Sequence, residues 1–158
     1  MQSSQTNSDF TPENVLTRAV ETLKLEGDAI HNLADNLGEE FVSVISLILA
    51  STGRIVISGV GKSADVARKI VATLNSTGSP ALFVHAGDAA YGDLGGIQDG
   101  DVVLCLSKSG KSAEISALTP LIRAAGHPII AITGLSIFPI FPPIAAGNAY
   151  PKVPNPYG

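Results

Sequence analysis

Five consecutive apolar residues, Val102 to Leu106, broken off by Ser107, Ser109, Gly110 and Ser112, constrain this chain more than any other stretch. An unbroken apolar run of that length suits a strand covered on both faces, as in a parallel sheet flanked by helices. Beyond the break, Ile115, Leu118, Leu121, Ile122 and Ala125 recur at helical spacing, so the serines occupy a strand-to-helix turn. Open α/β sheets bind their ligands at that end of a strand. Hydroxyls at Ser107, Ser109 and Ser112, the free N–H groups of a helix start and a close-approach glycine, Gly110, together suit a phosphate. The same serines would serve equally as a helix cap with solvated neighbours.

The pattern repeats on either side. Arg54 to Ser58 reads as a first strand, and Gly59-Val60-Gly61-Lys62-Ser63 turns it into a helix carrying Val66, Ala67, Ile70, Val71 and Leu74. A P-loop would need a glycine at Val56, inside the strand, so a nucleoside triphosphate site is excluded. The loose dinucleotide fingerprint is met, but the acid expected about 20 residues later is missing, because the second strand, Pro80 to Val84, runs into His85. What remains is a glycine turn at a carboxyl end with Lys62 and Ser63 beside it. The loop His85 to Gly95 brings a histidine, Asp88, Tyr91 and Asp93 to the same end of the sheet. A last strand, Pro128 to Thr133, is closed by Gly134. Strand and helix therefore alternate from Arg54 to Gly134, which predicts a three-layer doubly wound α/β domain with four parallel strands and right-handed crossovers.

Helices come first in the chain. Thr11-Pro12-Glu13 is a helix start, with a capping hydroxyl, a proline where no N–H is needed and an acid at the positive end. Val15, Leu16, Ala19, Val20 and Leu23 line one face; the pattern weakens at Gly27 and resumes at Ile30, Leu33 and Leu37, as one long helix or two in succession. Phe41 to Leu49, apolar on most sides, predicts a buried helix. Such a leader packs on its own sheet or on another subunit, and the apolar surface it carries predicts a homo-oligomer, dimer or tetramer.

With 158 residues, 45% of them hydrophobic, the chain can bury a core as one domain. A net charge of -4 with scattered cations, and only 5% aromatic residues, argues against a nucleic-acid partner. No stretch reaches the length of a membrane span, residues 1–10 resemble no signal peptide, and the single Cys105 sits within an apolar strand. The expectation is a cytoplasmic protein with no membrane partner and a disordered stretch at 1–10.

Together, Gly59-Val60-Gly61-Lys62-Ser63, Ser76-Thr77-Gly78, the loop Phe83 to Gly95, and Ser107-Lys108-Ser109-Gly110 followed by Ile132-Thr133-Gly134 resemble the sugar isomerase (SIS) domain, above all that of the bacterial arabinose-5-phosphate isomerases. The resemblance runs from the first helix to Gly134, over residues 11–134. It implies a flavodoxin-like sheet, subunit-contact active sites, and interconversion of ribulose 5-phosphate and arabinose 5-phosphate through an enediol. By resemblance, Gly61, Ser63, Ser107, Ser109, Gly110, Lys111 and Ser112 hold the sugar phosphate, with Ser76, Thr77 and Asp93 lining the pocket. Lys62 and His85 are the matched catalytic residues, and His85 is a site for a divalent metal; no other cofactor is required.

Two positions depart from that pattern. Lys111 stands where the family's serine turn carries a glutamate, and Tyr91 where its loop carries a histidine. After Gly134 the resemblance ends. The family's fifth strand, its further catalytic glutamate segment and its paired regulatory modules have no counterpart, and 135–158 is rich in proline, which predicts an irregular tail and a lost fifth strand. A non-catalytic domain that only binds a sugar phosphate is the alternative to an isomerase.

Overall fold

The computed structural model describes residues 11–89, 92–134 and 137–140, with only the backbone described at Asp93 and at 137–140. The chain forms two compact units, Met1–Gly38 and Glu39–Gly158.

In the first unit, α1 (Pro12–Asp35) is one continuous helix through Gly27. The Thr11 hydroxyl accepts the Asn14 N–H at 3.2 Å and Glu13 lies in the first turn, as the start signal predicts. The second unit begins with α2 (Glu39–Ala50). The expectation that this helix is buried on most sides is corrected: Val44 is buried and Leu47 and Ile48 pack beside it, while Phe41, Val42, Ile45 and Leu49 are exposed. One sheet face covers only one stripe of a helix, so the remaining apolar residues stay outside.

The strands and helices then alternate: β1 (Ile55–Gly59), α3 (Lys62–Ser76), β2 (Ala81–His85), the short α4 (Ala86–Ala89), a 3-10 turn at Asp93–Gly96, β3 (Val102–Ser107), α5 (Ala113–Ala124), β4 (Ile129–Thr133) and β5 (Ile137–Ile140). Strand order is β2-β1-β3-β4-β5, and the first four are parallel, with Ile57 opposite Phe83 and Leu104, and Cys105 opposite Ala131. This is the expected flavodoxin-like doubly wound sheet. Alternate residues of each strand feed two cores. Ile57, Val102, Leu104 and Ile130 pack with Val44 and the α3 residues Ala67 and Ile70, while Val56, Val103, Cys105 and Ile129 pack with Ile115, Leu118 and Ile122 of α5. No described helix is long and apolar enough to cross a membrane.

The four parallel strands are as expected, while the irregular tail expected after Gly134 is a second correction. Ile137–Ile140 pairs antiparallel with β4, Ile132 opposite Ile137 and Ile130 opposite Pro139, so the irregular stretch expected from 135 onward contains a strand. Val103 donates its N–H to Pro128 O at 2.9 Å, which turns the polar backbone groups of Ile130 toward β3. Pro139 therefore sits in a non-hydrogen-bonded pair with its missing N–H facing away from β4, the position where an edge strand tolerates proline.

The opposite edge is blocked by a side chain. Ile55 donates to Pro80 O, so Ala81 turns its own N–H and C=O away from β1. The Asn75 amide meets both, donating to Ala81 O at 3.1 Å and accepting from Ala81 N at 2.8 Å. It stands in for a neighbouring strand at the start of β2.

Candidate anion-binding site

β1 and β3 are adjacent and parallel, yet the helices that follow them leave on opposite faces: α3 packs with Ile57 and Leu104, α5 with Val56 and Cys105. A crevice opens at the carboxyl ends of two such strands, between the turns that diverge from them. The glycine turn follows β1 and the serine turn follows β3, so the two turns lie at the same end of neighbouring strands.

Both helices begin there without a capping side chain. α3 starts after Gly61, whose φ of +55° lies in the left-handed region, and its first-turn N–H groups at Ser63 and Ala64 bond to Val60 O and Gly61 O. Ser112 holds the cap position of α5, but its hydroxyl does not cap the helix; it meets the buried Ser107 hydroxyl at 2.8 Å. The cap that the sequence offered as one reading of these serines is therefore not made by Ser112. Ser109 Oγ accepts the Lys111 N–H at 3.1 Å, and Gly110 turns the chain with φ of +67°. The N-terminal amides of α5 thus face the crevice without a protein cap, and anions bind such helix ends. Lys62, Lys108 and Lys111 are exposed around it and Ser63 is half-buried.

His85 ends β2 rather than lying in a loop, opposite Gly59. Its ring meets Phe83 edge-on at 6.4 Å between centroids, and the Arg68 guanidinium of α3 lies 4.4 Å over Phe83, so His85 faces the α3 side of the sheet. Its Nδ1 is 3.5 Å from Asp88 Oδ2, too long for a hydrogen bond, and a Cβ at Gly87 would press on the ring at 3.2 Å. Arg68, Leu82, Phe83, Val84, His85 and Asp88 line a hollow of about 360 Å³. With β1 between them, His85 and Ser107 are about 10 Å apart across the strands.

The other expected residues are placed as follows. Asp93 opens the 3-10 turn, its side chain outside the described residues, as is Tyr91. Ser76 and Thr77 lie at the far end of α3, roughly 20 Å along the helix axis from Lys62. Their hydroxyls bond back to Thr73 O at 2.8 and 3.1 Å. Within this chain the fold does not bring them to the serine turn. For a metal at His85, His85 and Asp88 offer two donors where a catalytic zinc takes three protein ligands, and no group of three such residues occurs among the described residues. These two side chains do not by themselves fit a metal.

Sequence reasoning missed Ser58 and Arg68 as residues beside the site. Ser58 is 1% exposed, its hydroxyl has no hydrogen-bond partner among the described residues, and by alternation it lies on the α5 side of β1 beneath the crevice. A polar residue inside Arg54 to Ser58 was the available signal. Cys105 is no nucleophile, since burial pushes its thiol up to about 12.

The SIS domain pattern matches residues 48–140. The chain is 49% identical over 116 residues to an arabinose 5-phosphate isomerase of Pseudomonas aeruginosa, covering 73% of this chain and 36% of that protein. It is 40% identical over 128 residues to one of Escherichia coli K12, covering 81% and 40%. Among solved structures, an Escherichia coli CFT073 protein in complex with arabinose 5-phosphate aligns with a TM-score of 0.74 at 35% identity, over 78% of this chain and 66% of that one. Phosphoheptose isomerase from Neisseria gonorrhoeae shares the fold, with a TM-score of 0.62 at 22% identity over 75% of each chain. The chain thus spans well under half the length of the curated relatives it matches.

Proposed function

The chain belongs to the SIS domain family, and from that premise we propose that it binds a pentose 5-phosphate in the crevice between β1 and β3. One observation carries the proposal: α3 and α5 diverge from adjacent strands with uncapped amino ends, and Ser107 and Ser112 meet at the mouth between them. The phosphate would sit on the serine turn, its charge met by the helix amides and by Lys62, Lys108 and Lys111. Two relatives are named as arabinose 5-phosphate isomerases, and a third was solved with that sugar phosphate bound.

The reaction we assign to the site is interconversion of ribulose 5-phosphate and arabinose 5-phosphate. A base removes the proton from C1 of the ketose, the electrons form an enediol, and a proton returns to C2 while another passes from O1 to O2, so the atoms balance with no co-reactant. Lys62 and His85 are the groups on the α3 side for these transfers, each worth roughly a hundred to ten thousand fold. A second reading, binding without turnover, is favoured by Lys111, a cation in the turn where the resembling family carries a carboxylate. The exposed apolar residues of α1, Leu16, Leu23, Ile30 and Leu33, support a homo-oligomer of at least two copies.

Calorimetry with ribulose 5-phosphate, run beside an isomerase assay on the unmodified chain and on Lys111→Glu, tests this. Binding with turnover supports the isomerase, and binding with turnover only in Lys111→Glu supports the second reading. Absence of binding by any pentose phosphate sinks both. Light scattering at tens of micromolar that returns a monomeric mass would refute the oligomer.

A further inference from the structure

The serine turn does not stand alone; it rests on the end of β4. Gly134 donates its N–H to Lys108 O at 2.9 Å, tying the residue after β4 to the turn between Ser107 and Ser109. A Cβ added at Gly134 would stand 2.8 Å from that same carbonyl oxygen, closer than real Cβ atoms come, and the obstacle is backbone that cannot rotate aside. Further along the turn, a Cβ at Gly110 would reach Thr133 Cγ2 at 3.5 Å, an ordinary contact, so the turn lies over both Thr133 and Gly134. Ser107 itself pairs with Thr133 as the last rung between β3 and β4.

We propose that Gly134 is a positioning residue of the anion site: its hydrogen bond and its lack of a side chain set the height at which the serine turn presents its amides and hydroxyls. Its φ is not in the left-handed region, so the need for glycine comes from space rather than from backbone conformation. Any side chain there pushes Lys108 outward, and the turn from Lys108 to Ser112 moves with it. The proposal rests on phosphate binding as inferred above.

The test uses inorganic phosphate and the full chain, with binding followed by amide NMR and thermal unfolding measured in parallel. Gly134→Ala is expected to weaken phosphate binding about tenfold, the equivalent of one misaligned charge-assisted hydrogen bond. Gly27→Ala, whose added Cβ meets nothing within 4 Å, is expected to bind as the unmodified chain does. If the unmodified chain binds phosphate and Gly134→Ala binds it equally well, the positioning role is overturned. If the unmodified chain does not bind phosphate, the anion site fails first and this role with it. Should Gly134→Ala not fold, the unmodified chain still decides: the Gly134 amide signal must shift along the same titration curve as those of Ser109 and Ser112, and a Gly134 signal that stays still overturns the proposal.

Discussion

Arg54 and Asp101 close the amino end of the sheet, their Nη2 and Oδ2 atoms 2.8 Å apart, with Asp101 only 2% exposed. The carboxylate also accepts the backbone N–H of Arg54 at 2.6 Å and of Gln98 at 2.9 Å, so it binds the starts of β1 and β3 to the turn between them. Gly53 makes room, since a Cβ there would lie 2.5 Å from Asp101 Oδ1. The strands that carry the crevice at one end are thus registered at the other.

Asp101→Ala leaves two backbone N–H groups without their acceptor and takes the charged partner from the Arg54 guanidinium, which keeps Gly96 O at 2.7 Å. The expected loss is about 2 kcal/mol of folding stability, in the range for leaving buried donors without an acceptor, since the Arg54 side chain is 32% exposed. Urea unfolding monitored by circular dichroism measures it, and a loss below about 0.5 kcal/mol, the size of an ordinary surface change, would contradict the clasp.

Acid should act through the same carboxylate. Burial alone would raise the Asp101 carboxyl, but hydrogen bonds from the Arg54 side chain and from the Arg54 and Gln98 backbones, with the charge of Arg54, outweigh it and hold the group below its ordinary value. A depressed folded-state value means the unfolded chain takes up the proton first, so the contribution is whole above about pH 4 and fades as pH falls through the folded value. Asp101→Asn should therefore flatten the acid limb of a stability-against-pH curve. A limb of unchanged steepness would show that other carboxylates govern it.

Ser107→Ala with Ser112→Ala removes two hydroxyls that meet each other at 2.8 Å. Pentose phosphate binding should fall by roughly ten to a hundred fold for each lost bond to the phosphate. Thermal stability should move little, because both partners go together and no orphaned group is left. Calorimetry beside a melting curve separates the two, and intact binding in the double variant would place the phosphate elsewhere.

Asn75→Ala should expose the polar groups of Ala81 at the β2 edge. The fold loses about 1 kcal/mol, since water replaces the amide. The larger effect expected is concentration-dependent self-association through the freed edge, read by sedimentation velocity. A variant that sediments like the unmodified chain at every concentration would show that Asn75 does not guard the edge.

Much of this was legible from residue order, because local chemistry dictated it. Apolar runs ended by Gly and Ser located four strands within a residue or two, Thr11-Pro12 located the first helix, and alternation along the chain required a parallel sheet whose strands end at Gly59 and Ser107 on one side. Only the tertiary structure decided the rest, since those outcomes depend on what lies opposite. Pro139 can occupy a strand because its pairing with Ile130 turns the missing N–H outward, and no reading of proline content could show that. The sequence left a helix cap and an anion site open for the serines; in the structure the Ser112 hydroxyl meets Ser107 and does not cap α5. Ser76 and Thr77 stand close to Lys62 in the chain, but a straight helix of 15 residues carries them to the far end of the sheet. Residue order gives no sign that Asp101 is buried, because the partner that offsets its desolvation, Arg54, lies 47 residues away.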